Sequence, residues 1–487
     1  MKKYFLGLLF LAPFTGFAQN RLFVPISPNE CLSCVSQLAK LNDIDKSLPV
    51  SLVFQKRYKV DSAALSRRMY LKEYTTDIVW SDSLFNRFKN DGNIKSAIGA
   101  YNEESGNYIN INIASIGESL PFFNALNRTD TLELSDQAFG GQTILRNSGA
   151  YIYCFDKTAN EIRAFHKIDG KLLYTLSVTD SLTQAAFKLR YPAGKWKMEY
   201  QEAQAFATAK RRIDPNAFEA FHCSNDTVYA ISHYAYMIRD TAYKNEATNF
   251  LTLSVYKSGR MISFSIVENY IDPSFKGEKR GFHRITQAGN LIKDGDAYYI
   301  MGGEFFVQSD TLYAELLGDY ATGIPNHILS ILKKNVKNTY EHKGFYRGTL
   351  PSEYTGIGYS GGLFPTSGIP YSYPYMALVY SNHLFSIAPG KQDLELSVLS
   401  PKATGFKGIF GLKAGPDFVY VMFRNGKDKW MHYAKIDIKS NKIISDVPFW
   451  DTTEPYIANP SIDDFDYRFI YMPAGEKTIV RKKVLEN

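Results

Sequence analysis

The chain has 487 residues, a 45% apolar and 22% charged composition and a net charge of +7, values of an ordinary folded protein too long for one small core. Its basic residues form only short runs such as Lys56-Arg57 and Lys210-Arg211-Arg212, amid interspersed acids, which speaks for a solvated surface and against a nucleic-acid groove. Four cysteines exclude a disulfide-stapled scaffold, and a 15% aromatic share with 34 Tyr and 33 Phe leans toward half-buried sheet.

The first element reads as an export signal over residues 1–19. Lys2 and Lys3 give a basic start, Tyr4 to Ala12 an apolar run, and Pro13, Gly16 and Ala18 lead to a cleavage point before Gln19 or Asn20. No cysteine follows closely enough to take a lipid. No later segment reaches the roughly 20 uninterrupted apolar residues of a spanning helix. The expectation is a periplasmic or secreted protein without a membrane span after cleavage.

Residues 20–115 mix strands and helices. Arg21 to Ser27 is extended, with Pro25 marking an edge or an early end of pairing. Asn29 can cap a helix carrying Val35, Leu38 and Leu41 on one face. Val50 to Phe54 is a buried strand, Asp61 caps a second helix, Asp77 to Trp80 is a strand and Ser83 to Phe88 a short helix. Ile94 to Tyr101 and Tyr108 to Ile113 pair across the turn at Glu104 to Asn107. This order predicts an α/β layer with a central sheet.

From about Leu132 helices fade, and residues 130–487 read as all-β. Gln142 to Arg146, Ala150 to Phe155, Ile162 to His166 and Leu172 to Val178 form one four-stranded unit, and Phe218 to Cys223, Thr227 to Ile238, Phe250 to Tyr256 and Met261 to Val267 a second. Further candidates begin near Leu291, Tyr375, Gly408 and Phe465. Recurrent four-stranded units predict a β-propeller of about five to seven blades, about six as the central value, rather than a single β-sandwich. The last two strands, within Tyr467 to Val484, end the chain in mid-unit, as expected when strands from both ends close one blade. The Gly-, Ser-, Tyr- and Pro-rich stretch 351–375 reads as a surface insertion or a binding loop.

The one short motif with chemistry attached is Cys31-Leu32-Ser33-Cys34, at the start of a helix. Three readings are open for it: a redox-active disulfide, a structural or inert pair, and a metal site. Zinc lacks a second ligand pair, and haem attachment lacks a histidine at Val35. No metal or other cofactor is expected. Cys154 and Cys223 read as small buried hydrophobes, with a bridge between them as the alternative. His222 beside Cys223 makes no dyad, because adjacent strand residues face opposite ways. None of the eight histidines is spaced as a ligand pair on one element. Asp463, Asp464 and Asp466 read as a solvated turn, since a calcium loop's glycine and distal glutamate are absent.

The first region resembles thioredoxin-like domains of periplasmic thiol–disulfide oxidoreductases. The matching pieces are the strand Arg21 to Ser27, the Cys31–Cys34 helix start, the strand Val50 to Phe54, the helix after Asp61, the strand Asp77 to Trp80 and the final strand pair. The resemblance implies Cys31 as nucleophile and Cys34 as resolving cysteine. A helix N-terminus favours the thiolate of the first cysteine. The chain departs from the family in having Pro28-Asn29-Glu30 instead of an aromatic residue before the motif, and in lacking a proline within Lys95-Ser96-Ala97-Ile98. A carboxylate at Glu30 would raise the Cys31 pKa. The later region resembles six-bladed propellers of exported bacterial proteins, through Tyr151-Ile152-Tyr153, Asp156, Ile162 to Phe165 and Gly170-Lys171. The expectation is a multidomain protein, an α/β thioredoxin-like domain plus an all-β propeller of about six blades. It exchanges disulfides through Cys31 and Cys34, or it is a non-catalytic binding or scaffolding protein with a degenerate first domain. A protein partner is expected on the propeller or the cysteine face.

Overall fold

The computed structural model describes residues 20–26, 39–45, 48–56, 76–89, 97–112, 116–140 and 143–190, strand segments between 217 and 398, most of 408–453, and 458–485. The chain divides into two compact units, one of residues up to Asp130 with Phe465–Phe469 and Lys483–Asn487, the other of Thr131–Asp464 and Ile470–Lys482.

The first unit is an α/β layer. Its strands are β1 (Asn20–Pro25), β2 (Val50–Phe54), β3 (Thr76–Trp80), β4 (Ala97–Asn102) and β5 (Tyr108–Asn112), in the order β3-β2-β1-β4-β5. β1, β2 and β3 run parallel, whereas β4 and β5 are antiparallel to their neighbours. β2 is buried at every residue, the unbroken apolar run expected of an inner parallel strand. β1 lies at the centre, not at an edge, and Pro25 is its last residue, paired with Val53. Proline is tolerated there because it closes the strand. Helix α1 (Asp82–Lys89) starts where Ser81 Oγ accepts from Leu84 N–H at 3.2 Å, and it lays Phe85 and Phe88 on Phe23 and Val53. Gly99 is required under this helix, since a Cβ would stand 2.3 Å from Phe88. Helix α2 (Ile116–Ala125), with Pro121 inside it, buries Phe122 and Phe123. Its internal proline and weak apolar periodicity hide α2 in the sequence.

The second unit is propeller-like and almost wholly β. β7 (Thr143–Ser148), β8 (Tyr151–Asp156), β9 (Glu161–His166) and β10 (Leu172–Ser177) form an antiparallel meander. β11 (Ala217–Ser224), β12 (Thr227–Met237), β13 (Ala247–Lys257) and β14 (Arg260–Val267) form the next. Both reproduce the expected strands to within a few residues. β15 (His283–Ile285), β16 (Asn290–Asp294), β17 (Ala297–Phe306), β18 (His327–Lys334) and β19 (Tyr340–Tyr346) follow, joined to β14 at Val267↔Tyr340. β20 (Leu363–Pro365), β21 (Met376–Tyr380), β22 (His383–Pro389) and β23 (Leu394–Val398) make a four-stranded sheet, as do β24 (Gly408–Ala414), β25 (Phe418–Arg424), β26 (Trp430–Asp437) and β27 (Lys442–Asp451). β28 (Ala458–Asn459) adds in parallel to β7. β29 (Ser461–Ile462), β30 (Phe469–Pro473) and β31 (Thr478–Lys483) then take in β6 (Asp130–Glu133), in the order β29-β30-β31-β6. An early strand thus completes the last sheet and removes its free edge.

The strands β7, β11, β16, β20, β24 and β29 are neighbours in that order, and β29 returns to β7. Successive sheets pack face to face. In β8, Tyr153 and Phe155 join one cluster with Phe218, Phe221 and Val228, while Ile152 and Cys154 join another with Leu134, Phe139, Tyr471 and Ile479. The period of two puts apolar residues on both faces, so β8 is buried through its middle. Helix α3 (Asp180–Arg190) interrupts the β pattern. Thr179 Oγ1 caps it at Leu182 N–H (3.3 Å), and Phe187 meets Tyr234 edge to face at 6.4 Å. The expectation that helices end near Leu132 is corrected by α3, whose Thr-Asp-Ser start was a legible capping signal. Of the stretch 351–375, only the backbone of β20 lies among the described residues.

Candidate functional site

Cys31 and Cys34 lie outside the described residues, as does most of the helix expected to carry them. The helix after Asp61 and the basic run Lys210-Arg211-Arg212 also lie outside them. Cys154 and Cys223 are both free thiols, so no bridge joins them. Cys154 is buried, and burial drives its pKa far above the ordinary thiol range. Cys223 is half-buried; burial pushes its thiol up to about 12, against the pull of Lys413 and Arg146. Neither is a thiolate at neutral pH. His222 packs on the Tyr229 ring at 5.9 Å, while Cys223 faces Arg146 and Lys413 electrostatically, so the neighbours form no dyad.

The acidic stretch after β29 is the main correction to the sequence reading. Asp463, Asp464 and Asp466 form no solvated turn, being only 1%, 9% and 0% exposed. The charges of Asp463 and Asp464 are held by cations distant in sequence, that of Asp466 by a close neighbour. In the second unit, Lys167 Nζ donates to Asp463 Oδ1 at 2.7 Å and to Asp464 Oδ1 at 2.9 Å. Arg481 Nε donates to Asp463 Oδ2 at 2.8 Å. Lys167 also stands 5.1 Å from the centre of the Tyr471 ring. In the first unit, Asp466 pairs with Arg468 through two side-chain bonds of 2.9 and 2.6 Å.

Backbone and amide groups complete the second-unit cluster. Asn147 Nδ2 donates to Ser461 Oγ and Ile462 O at 2.9 and 2.8 Å, and its Oδ1 accepts from Asp464 N–H at 2.8 Å. Gly149 N–H donates to Asp464 Oδ2 at 2.8 Å. Burial alone would lower the Lys167 pKa, but Asp463 and Asp464 outweigh it and raise it above its ordinary value. Burial likewise would raise Asp463, but Lys167 and Arg481 outweigh it and hold the carboxyl low. The cluster therefore sets a pair of cations against a pair of carboxylates.

Two further cations stand at its margin. Arg146 on β7 and Lys413 on β24 are half-buried, and burial lowers both pKa values. Asp464 and Cys223 pull the Lys413 value up, while Arg146 and Lys167 push it down. Elsewhere, His432 sits between two carboxylates, with Nδ1 2.8 Å from Asp446 and Nε2 3.1 Å from Asp428. Among the described residues, no group of three or more His, Cys, Asp or Glu is arranged to hold a metal ion, and no helix is long and apolar enough to cross a membrane.

No family model and no curated protein matches the chain. Several solved structures align with it over most of its length. The Myceliophteria thermophila Cps50 (Swd1) beta-propeller domain is 8% identical, with 80% of this chain and 94% of that one covered and a TM-score of 0.37. A member of the duf4221 family from Bacteroides vulgatus is 9% identical over 74% of this chain and 96% of that one, with a TM-score of 0.36. A putative exported protein from Bacteroides fragilis is 8% identical over 74% and 95%, also with a TM-score of 0.36.

Proposed function

We propose that the chain is an exported, non-catalytic binding protein, in which a six-bladed β-propeller holds a partner or ligand. The observation that carries this reading is the closed cycle of inner strands, β7 through β29 and back to β7, pinned by the buried Lys167–Asp463–Asp464–Arg481 cluster. A cycle of six first strands supports six blades, and the entry of β6 into the last sheet supports closure. A framework fixed in this way loses little conformational freedom when it binds, which favours recognition. Export rests on Lys2, Lys3 and the apolar run to Ala12.

A second reading is thiol–disulfide exchange through Cys31 and Cys34. The strand order β2-β1-β4-β5, parallel and then antiparallel, supports a thioredoxin-like first unit, and Cys31 follows β1 closely in sequence. In that reaction the Cys31 thiolate attacks a partner disulfide and releases one thiolate. Cys34 then attacks the mixed disulfide and releases the second, leaving Cys31–Cys34 oxidised and the partner reduced. Insulin reduction with dithiothreitol as electron source separates the readings. The binding-protein reading expects background rates for both wild type and Cys31→Ser. Turnover in the wild type that Cys31→Ser abolishes would replace it with the exchange reading.

A further inference from the structure

The chain passes from one compact unit to the other four times, after Asp130, Asp464, Phe469 and Lys482. At the second passage no spacer separates the anchors on the two sides. Asp464 belongs to the second unit, where its N–H donates to Asn147 Oδ1 at 2.8 Å and its carboxylate accepts from Lys167 Nζ and Gly149 N–H at 2.9 and 2.8 Å. Phe465, the next residue, belongs to the first unit, where its carbonyl oxygen accepts from Ser105 Oγ at 2.6 Å. Asp466 follows, held there by Asn20 Nδ2 at 3.0 Å and by Arg468. The Arg468 carbonyl in turn accepts from the N–H groups of Val484 and Leu485 at 2.8 and 3.2 Å. Phe465, Tyr467 and Phe469 are at most 1% exposed, so packing as well as hydrogen bonding fixes this segment in the first unit.

Units joined by a flexible linker open and close independently, because the linker absorbs the movement. Consecutive residues cannot absorb it, since their Cα atoms stay about 3.8 Å apart across a trans peptide. Asp464 cannot leave Lys167 and Gly149 without pulling on Phe465, and Phe465 cannot leave Ser105 without pulling on Asp464. We propose that residues 463–468 are a common clasp that couples order in the first unit to order in the second, so that loosening or tightening of either is transmitted to the other. The clasp has a docked state, with the bonds on both sides made, and a released state, in which both units lose theirs together. Such coupling is reciprocal: whatever favours the docked segment in one unit favours it by the same factor in the other. A partner that binds only the docked form through the propeller-like unit thereby orders the start of β1, the strand that leads to Cys31 in sequence. The clasp goes beyond both functional readings and needs neither.

Hydrogen exchange of the full chain, followed by mass spectrometry, tests the clasp with one mild change on each side. Ser105→Ala removes the hydroxyl from the Phe465 carbonyl in the first unit, and Asp464→Asn weakens the hold of Lys167 in the second. Each variant is expected to speed exchange of the slow amides of β1 and β4 and of those of β7 to β9 by comparable factors, about threefold or more, as for the loss of one hydrogen bond. An effect of Ser105→Ala confined to the first unit, or of Asp464→Asn confined to the second, overturns the coupling. Calorimetry of the wild-type chain gives a second measurement that depends on no variant: one unfolding transition is expected, and two separate transitions overturn the clasp. Insulin reduction is independent of both experiments. Turnover there strikes the binding-protein reading and leaves the clasp, whereas confined exchange effects strike the clasp and leave that reading.

Discussion

Gly149 donates its backbone N–H to Asp464 Oδ2 at 2.8 Å, across 315 residues of chain. The bond depends on a left-handed backbone at Gly149 (φ 56°), and a Cβ there would lie 2.3 Å from Asn225 Oδ1. Gly170 is left-handed too (φ 70°), but its added Cβ would lie 2.0 Å from the carbonyl oxygen of Glu133. An amide side chain can rotate away, whereas a backbone carbonyl in β6 cannot. Gly149→Ala is expected to cost about 1–3 kcal/mol, in the range of strained left-handed substitutions. Gly170→Ala is expected to cost more and to loosen the pairing of β6 with β31. Chemical denaturation ranks the two, and equal midpoints for both variants would contradict the steric argument.

Lys167 is the ion on which the cluster depends, since it alone bonds both Asp463 and Asp464. Lys167→Met leaves two buried carboxylates with one remaining cation partner in the cluster, Arg481 on Asp463. Removal of one member of a buried ion cluster costs about 3–5 kcal/mol. Adding Asp464→Asn to that variant removes one uncompensated charge and should restore part of the loss. The double-mutant cycle is expected to show coupling of roughly 1 kcal/mol or more. Additive losses would mean that the two residues act independently.

The strand pattern of the second unit was legible because turn chemistry and alternation agree there. Gly170 and Gly259 take left-handed turns between strands that the apolar periodicity already marks. The site was not legible in the same way. Asp463, Asp464 and Asp466 look like a solvated turn because acidic residues are usually exposed, and Lys167 lies 296 residues away from its partner Asp463. The available signal was their setting: Ile462, Phe465, Phe469 and Ile470 surround them, so the acids lie inside an apolar run. Such a run cannot bury itself without burying its carboxylates, which then need cations. Sequence reasoning had no means of choosing Lys167 and Arg481 among 56 Lys and Arg.

The same cluster sets the response to pH. Asp463 is held low in the folded state, so its contribution is present above the unfolded value near 4 and is lost as pH falls through the folded one. Lys167 is raised, so its contribution is present below the unfolded value near 10.4 and is lost as pH rises through the folded one. Wild-type stability should therefore be flat across neutral pH and decline on both flanks. In Lys167→Met the sign at acid pH reverses. Asp463 then loses Lys167 and keeps Arg481, so burial, the largest influence on it, raises its pKa and the variant gains stability as pH falls from about 7 to 5. Denaturation curves at pH 5 and 7 decide the point, and a parallel decline in both proteins would refute it.

Asn20 carries the corresponding argument in the first unit. It is fully buried, donates from Nδ2 to Asp466 Oδ2 at 3.0 Å and to Leu126 O at 3.0 Å, and accepts from Asn102 Nδ2 at 2.8 Å. Asp466 is already paired with Arg468. Asn20→Asp keeps the shape but sets a second carboxyl against Asp466, and one guanidinium cannot neutralise both in a buried place. The new carboxyl should have a raised pKa, so the variant loses about 3 kcal/mol at pH 7 and regains much of it as pH falls toward 5 and the group takes a proton. Asn20→Ala breaks the same hydrogen bonds without adding charge. It should lose about 1–3 kcal/mol with no comparable recovery at low pH. If both variants respond alike to pH, the carboxylate repulsion is absent, and the hydrogen bonds of Asn20 alone account for its burial.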